Sequence, residues 1–174
     1  MKSLKTLILS AVLLIAASQT HLFAEDWTDW EWNDYAIDFS LPNSLTVTEA
    51  SDTRLVATDN RNFTMTVAPW EDETLTQKDV AYRGYQNYTA ITNKKILDEG
   101  DMGEFNGFKG YYIYAYGKSS GKNLYFVIAG LINPNSAVNF YISYAWWDKA
   151  EQNSYFEQLA EDITLSFKVQ SKTR

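Results

Sequence analysis

A regular alternation of apolar and polar residues begins at Tyr35. Tyr35, Ile37 and Phe39 alternate with Ala36, Asp38 and Ser40, the period of a strand with one buried face. Leu41-Pro42-Asn43-Ser44 then reads as a turn. Three short strands follow at Leu45–Glu49, Arg54–Thr58 and Phe63–Trp70, with turns at Ser51-Asp52 and Asp59-Asn60-Arg61-Asn62, so this region predicts a meander. Over Thr76–Ile91 the period becomes helical. Thr76 with Asp79 three residues later forms a capping signature, and Val80, Gly84, Tyr88 and Ile91 share one face. Gly84 inside that face costs helix propensity, and close approach of the helix to a sheet would explain it.

Strand periods resume after the helix. Lys95–Asp98 leads towards Asn106-Gly107, a strong tight-turn pair. Phe108–Lys118 and Lys122–Asn133 are long strand runs joined through Ser119-Ser120-Gly121, and Asn133-Pro134-Asn135-Ser136 turns into Ala137–Trp146. Leu124, Phe126 and Ile128 point one way and Tyr125, Val127 and Ala129 the other. A strand apolar on both faces is covered on both. Asp148 with Glu151 resembles a capping start for a last helix, with Phe156, Leu159, Ala160 and Ile163 as its apolar stripe and Leu165-Ser166-Phe167 as its end. The expected fold is α+β: a single antiparallel β-sheet of about six to eight strands with helices covering both faces.

The first residues add a compartment. Lys2 and Lys5 precede an apolar run from Leu7 to Ala17, and Leu22-Phe23-Ala24 ends on a small residue, the pattern of a secretory signal peptide over 1–24. The run is too short to span a membrane, so no membrane span is expected after cleavage. Residues 25–34 form an acidic, aromatic arm without a clean period, with Trp27, Trp30 and Trp32 among Asp, Glu and Thr. A single domain is expected over 35–168 and a polar tail over 169–174.

Composition removes several chemistries. The chain has no cysteine, and its one histidine, His21, lies in the leader. The exported chain therefore lacks both. That excludes Ser-His-Asp and Cys-His nucleophiles, disulfides and Cys- or His-ligated metals, and no cofactor is expected. Export without disulfides points to a bacterial periplasm or extracellular location. A net charge of -7 argues against a nucleic-acid partner, which needs a basic face.

The remaining candidates are aromatic and acidic. Tyr112, Tyr114 and Tyr116 share one face of a strand and could bind a partner or a glycan, or pack beneath a helix. Trp70, followed by Glu71, Asp72 and Glu73, could form a sugar platform beside two carboxylates, or begin a charged loop. Trp27, Trp30 and Trp32 must dock on the domain or on a partner. Asp98, Glu99 and Asp101 around Gly100, with Glu104 nearby, form a weak calcium candidate without EF-hand spacing, or a solvated loop. Lys118-Ser119-Ser120 has the elements of a Ser-Lys nucleophile but the composition of a hairpin turn.

The layout resembles the PsbP-like fold family, shared by the photosystem II extrinsic protein, a Ran-binding nuclear import factor and bacterial secreted proteins of unknown role. The features that carry it are Tyr35-Ala36-Ile37-Asp38-Phe39-Ser40-Leu41-Pro42, the helix at Thr76–Ile91, the Asn106-Gly107 hairpin and the last helix ending in Leu165-Ser166-Phe167. The resemblance implies an α/β/α sandwich acting as a non-enzymatic scaffold or adaptor. It supplies no catalytic motif, so no site residue is carried over. The expected function is a secreted binding or adaptor domain that contacts an unidentified envelope or extracellular protein. The alternative is a carbohydrate-binding or carbohydrate-cleaving protein built on Trp/Tyr platforms and carboxylates.

Overall fold

The computed structural model describes residues 26–170. In chain order it contains β1 (Trp27–Trp32), a 3-10 turn (Asn33–Tyr35), β2 (Ile37–Pro42), β3 (Thr46–Ala50), β4 (Leu55–Thr58) and β5 (Phe63–Glu71). Helix α1 (Gln77–Asn87) precedes β6 (Thr92–Phe105), β7 (Phe108–Ser119), β8 (Lys122–Ile132) and β9 (Val138–Trp147). Helix α2 (Asn153–Ser166) and the short β10 (Lys168–Val169) follow. The signal peptide expected over 1–24 lies outside the described residues.

The fold is α+β, but the expectation of a single sheet is corrected. Seven strands form one antiparallel sheet in the order β3-β4-β5-β9-β8-β7-β6, and three form a second in the order β1-β2-β10. The physical reason lies in the pairing of β2: β1 takes one of its edges and β10, from the far end of the chain, the other, so neither edge is left for β3 after the turn at Pro42.

Two-residue turns set the register of the long hairpins. Asn106-Gly107 has φ of 48° and 90°, and Ser120-Gly121 has 49° and 78°. Positive φ at both central residues is the twist that matches a tight hairpin, and each pair is flanked by directly opposed residues, Phe105 with Phe108 and Ser119 with Lys122. The Ser-Lys reading at 118–120 thus falls on a strand end and its turn.

Alternate residues of β8 serve two apolar clusters. The larger contains Phe39, Phe63, Ile142, Tyr144 and Trp146, with Phe156, Leu159 and Ile163 of α2, and Val127 packs against it. The smaller contains Phe126, Ile128 and Ile113 with Ala81 of α1. Complete burial of a ring such as Phe126 is worth about 2 kcal/mol. Helix α1 lies close to the sheet because Gly130 has no side chain. A Cβ there would stand 2.3 Å from the Gln77 carbonyl oxygen. Gly84 faces back across the same contact, where a Cβ would meet Ile128 at 2.9 Å.

The helices also carry corrections. The capping box of Thr76 and Asp79 is present, but α1 stops at Asn87, and Ile91 lies buried just before β6. At α2 the expected Asp148–Glu151 cap is not formed. The N-cap is Gln152 without a side-chain cap, and Asp148 instead accepts from Asn153 at 3.0 Å.

Candidate functional site

The segment read as an arm is a strand. Trp27–Trp32 pairs with β2 in unbroken register, Trp30 opposite Phe39 and Trp32 opposite Ile37. Thr28, Trp30 and Trp32 share the parity of the buried β2 residues Leu41, Phe39 and Ile37, whereas Trp27, Asp29 and Glu31 take the outer parity. Trp30 and Trp32 pack against the main core. The Trp32 ring meets Tyr35 edge-on at 4.9 Å, and Tyr35 meets Phe140 edge-on at 5.7 Å. Trp27 remains 38% exposed.

Hydrogen-bond alternation shows what β1 leaves open. The Asn43 N–H donates to the Asp26 carbonyl at 2.8 Å. Asp26–Asn43 is therefore a hydrogen-bonded pair, and by alternation Thr28, Trp30 and Trp32 bond to β2. The N–H and C=O groups of Trp27, Asp29 and Glu31 point to the other side. β1 ends its sheet, so among the described residues that side has no strand partner.

A cleft of about 310 Å³ lies between β1 and the β3–β4 hairpin. Trp30, Trp32, Phe39 and Leu55 give it apolar walls, Ala50 and Ser51 form part of its lip, and Asp34 and Asp52 supply its charges. Among the described residues no Lys or Arg lines it. The Tyr35 hydroxyl donates to the Asp52 carbonyl and ties the 3-10 turn to the hairpin. Burial, then the neighbouring Asp52 and Asp34, raises the Tyr35 phenol, so it stays a neutral donor at ordinary pH. Arg54, the nearest cation in sequence, is held on Glu49 by a 2.7 Å ion pair. On the outer face Asp29 accepts from Ser40 at 2.7 Å. Glu31 stands opposite Asp38, which Lys168 and Gln170 contact from the other side.

The structure does not bring the other candidates to this cleft. Tyr112 is buried and donates to Asp98 at 3.0 Å. Tyr114 stacks on Tyr125 and Trp146 and donates to Glu157 of α2. Tyr116 meets Tyr125 edge-on at 5.1 Å. Burial first, then the bond to Asp98 or Glu157, raises the phenols of Tyr112 and Tyr114. Trp70 carries the Arg83 guanidinium over its ring at 5.4 Å, and Arg83 also reaches Asp72 at 3.4 Å.

The acidic run is not the expected loop. Asp98, Glu99 and Asp101 lie within β6. Strand alternation sends Glu99 to Tyr82 of α1 and Asp98 to Tyr112 on the opposite face, while Asp101 accepts from Gln77 at 3.2 Å. Among the described residues no three acidic side chains converge as a metal site.

Sequence reasoning missed the hairpin wall, Ala50, Ser51, Asp52 and Leu55, and the pairing of Asp29 and Glu31 with the tryptophans. The signal for a strand was present in Trp30-Glu31-Trp32. The outward Trp27 broke the alternation and hid it.

No protein-family model and no curated protein matches the chain. Solved structures do. The Ran-binding protein Mog1p of Saccharomyces cerevisiae matches with a TM-score of 0.60 at 14% identity, over 84% of this chain and 96% of that one. The cyanobacterial PsbP of Synechocystis matches at 0.54 and 15% identity, covering 89% of this chain and 98% of its own. LpqN, involved in cell envelope biogenesis of Mycobacterium tuberculosis, matches at 0.53 and 13% identity, covering 87% and 88%. These likenesses establish architecture, and the fold of this chain is the PsbP/Mog1-like fold.

Proposed function

We propose that the chain is an exported, non-enzymatic adaptor that holds another protein at the open edge of β1. The observation that carries this reading is the unpaired strand edge beside a tryptophan-lined cleft. Exposed strand edges are the surfaces that folded proteins ordinarily protect, and Trp is favoured where proteins meet. The name of Mog1p, a Ran-binding protein, supports a binding role for this architecture. The leader pattern supports export, and residues 25–174 contain neither His nor Cys for nucleophilic catalysis. We read the architecture as a sandwich with one helix over each face of the seven-stranded sheet, with β1 and its cleft as an accessible aromatic surface. Among the described residues no helix is long and apolar enough to cross a membrane.

Photo-crosslinking tests the reading. A photoreactive residue replacing Trp27 in the full chain should capture one protein from the envelope of the producing cell. The same residue at Leu97, an exposed position of β6, should capture none. Equal capture at both positions, or none at 27, would overturn it.

A further inference from the structure

Resting on that reading, we infer that β1 takes up an extended segment of its partner as an added strand, and that this segment is basic. The backbone geometry supplies the first half. Trp27, Asp29 and Glu31 direct their N–H and C=O groups to the open side, so an incoming strand finds alternating donors and acceptors already in extended form. β1 has no bulge in its pairing with β2 that would twist the edge away. The side chains supply the second half. Alternate residues of an added strand would face the cleft at Trp30, Trp32 and Leu55, with Asp34 and Asp52 beside them. The other set would continue the outer face at Asp29 and Glu31. Both sets meet negative charge, and Glu31 makes no ion pair among the described residues. Lys or Arg side chains in an extended segment fit both, since their stems can lie on the tryptophan rings while their heads reach the carboxylates.

The same charges argue against a second copy as the occupant. Pairing β1 with β1 would set Asp29 and Glu31 of one copy against the same residues of the other. Like charges directly opposite one another destabilise a ladder.

The test uses the full chain and synthetic peptides of about eight residues, the length of an ordinary strand, alternating lysine and valine. Trp fluorescence should shift on addition of the peptide, and added salt should weaken the binding. A glutamate–valine peptide should not bind. The lysine–valine peptide N-methylated at alternate amides should lose binding, because it cannot pair with an edge. Glu31→Pro removes an outward N–H and no bond to β2. It should abolish binding while the thermal unfolding transition stays in place. Glu31→Gln should weaken binding by about threefold to tenfold while keeping the edge. Binding of the methylated peptide, unchanged binding by Glu31→Pro, or no binding of the lysine–valine peptide would overturn the inference. So would a dimer of the chain that Glu31→Pro dissociates. If position 27 captures its protein while the lysine–valine peptide fails, the basic-strand inference falls and the adaptor reading stands. Failure of both removes the adaptor reading as well.

Discussion

The outer edges of the two sheets solve one problem in opposite ways. β6 is the longer, and its pairing with β7 is interrupted at Thr92/Lys95, Ile96/Asp98 and Asp101/Gly103. Its carboxylates are bound by Tyr112, Tyr82 and Gln77, so the strand is pinned to its own domain on both faces. β1 has a continuous register, an exposed tryptophan and, in Glu31, a carboxylate with no ion pair among the described residues. Bulges and bound charges close an edge to foreign strands, whereas regularity leaves it open. The contrast shows that acidic sequence alone does not mark a site: the same residue types are structural in β6 and available in β1.

The largest expected effect breaks the docking of β1. Trp32→Ala removes the ring that rests on Tyr35, and urea unfolding should show a loss of about 2–3 kcal/mol. An unchanged midpoint would make β1 an undocked arm and dissolve the contrast. Next comes Gly103→Ala in β6. At φ of 73° an alanine is strained although nothing lies within 4 Å of its Cβ, so thermal unfolding should report about 1 kcal/mol lost.

Alkali should loosen the β6 edge. The hydrogen bond to Glu99 pushes the Tyr82 phenol from the ordinary 10.0 up to about 12. A raised pKa contributes stability that is intact below 10.0 and lost as pH rises through about 12. Hydrogen exchange in β6 should accelerate in that window, and Tyr82→Phe should remove the part that the Tyr82–Glu99 bond carries. The smallest effect has the opposite sign. Glu31→Lys replaces like charges by opposite charges across from Asp38, and stability should rise by a few tenths of a kcal/mol. The same substitution should weaken binding of a basic peptide, so stability and binding would move in opposite directions.

Most of the architecture was legible because it rests on local rules. The Asn106-Gly107 and Ser120-Gly121 turns, the Thr76–Asp79 cap and the opposed faces of β8 each depend on a few neighbouring residues, and the structure contains all of them. The division into two sheets was not legible, because β2 finds β10 far along the chain, and pairing at that distance leaves no local pattern. The site was legible in part. Trp30 and Trp32 were singled out, but their mate across the cleft, the hairpin at Ser51-Asp52, reads in sequence as an ordinary turn. Trp70 and Tyr114 looked like platforms because sequence does not reveal that Arg83 and Glu157 lie against them.

The distant closure of the small sheet has a kinetic consequence. Lys168 pairs with Asp38, and Ser166 Oγ accepts from the Ser40 N–H at 2.9 Å, so β2 is held by residues synthesised long after it. Contacts so far apart form late, after the loop-closure entropy of the intervening chain has been overcome. Until then β1 and β2 form an isolated hairpin, which is marginal in water. The open edge of β1 therefore matures among the last parts of the molecule. On the proposed adaptor reading, a partner arriving before that closure would find no stable strand to extend, so recognition would be timed to completion of the fold.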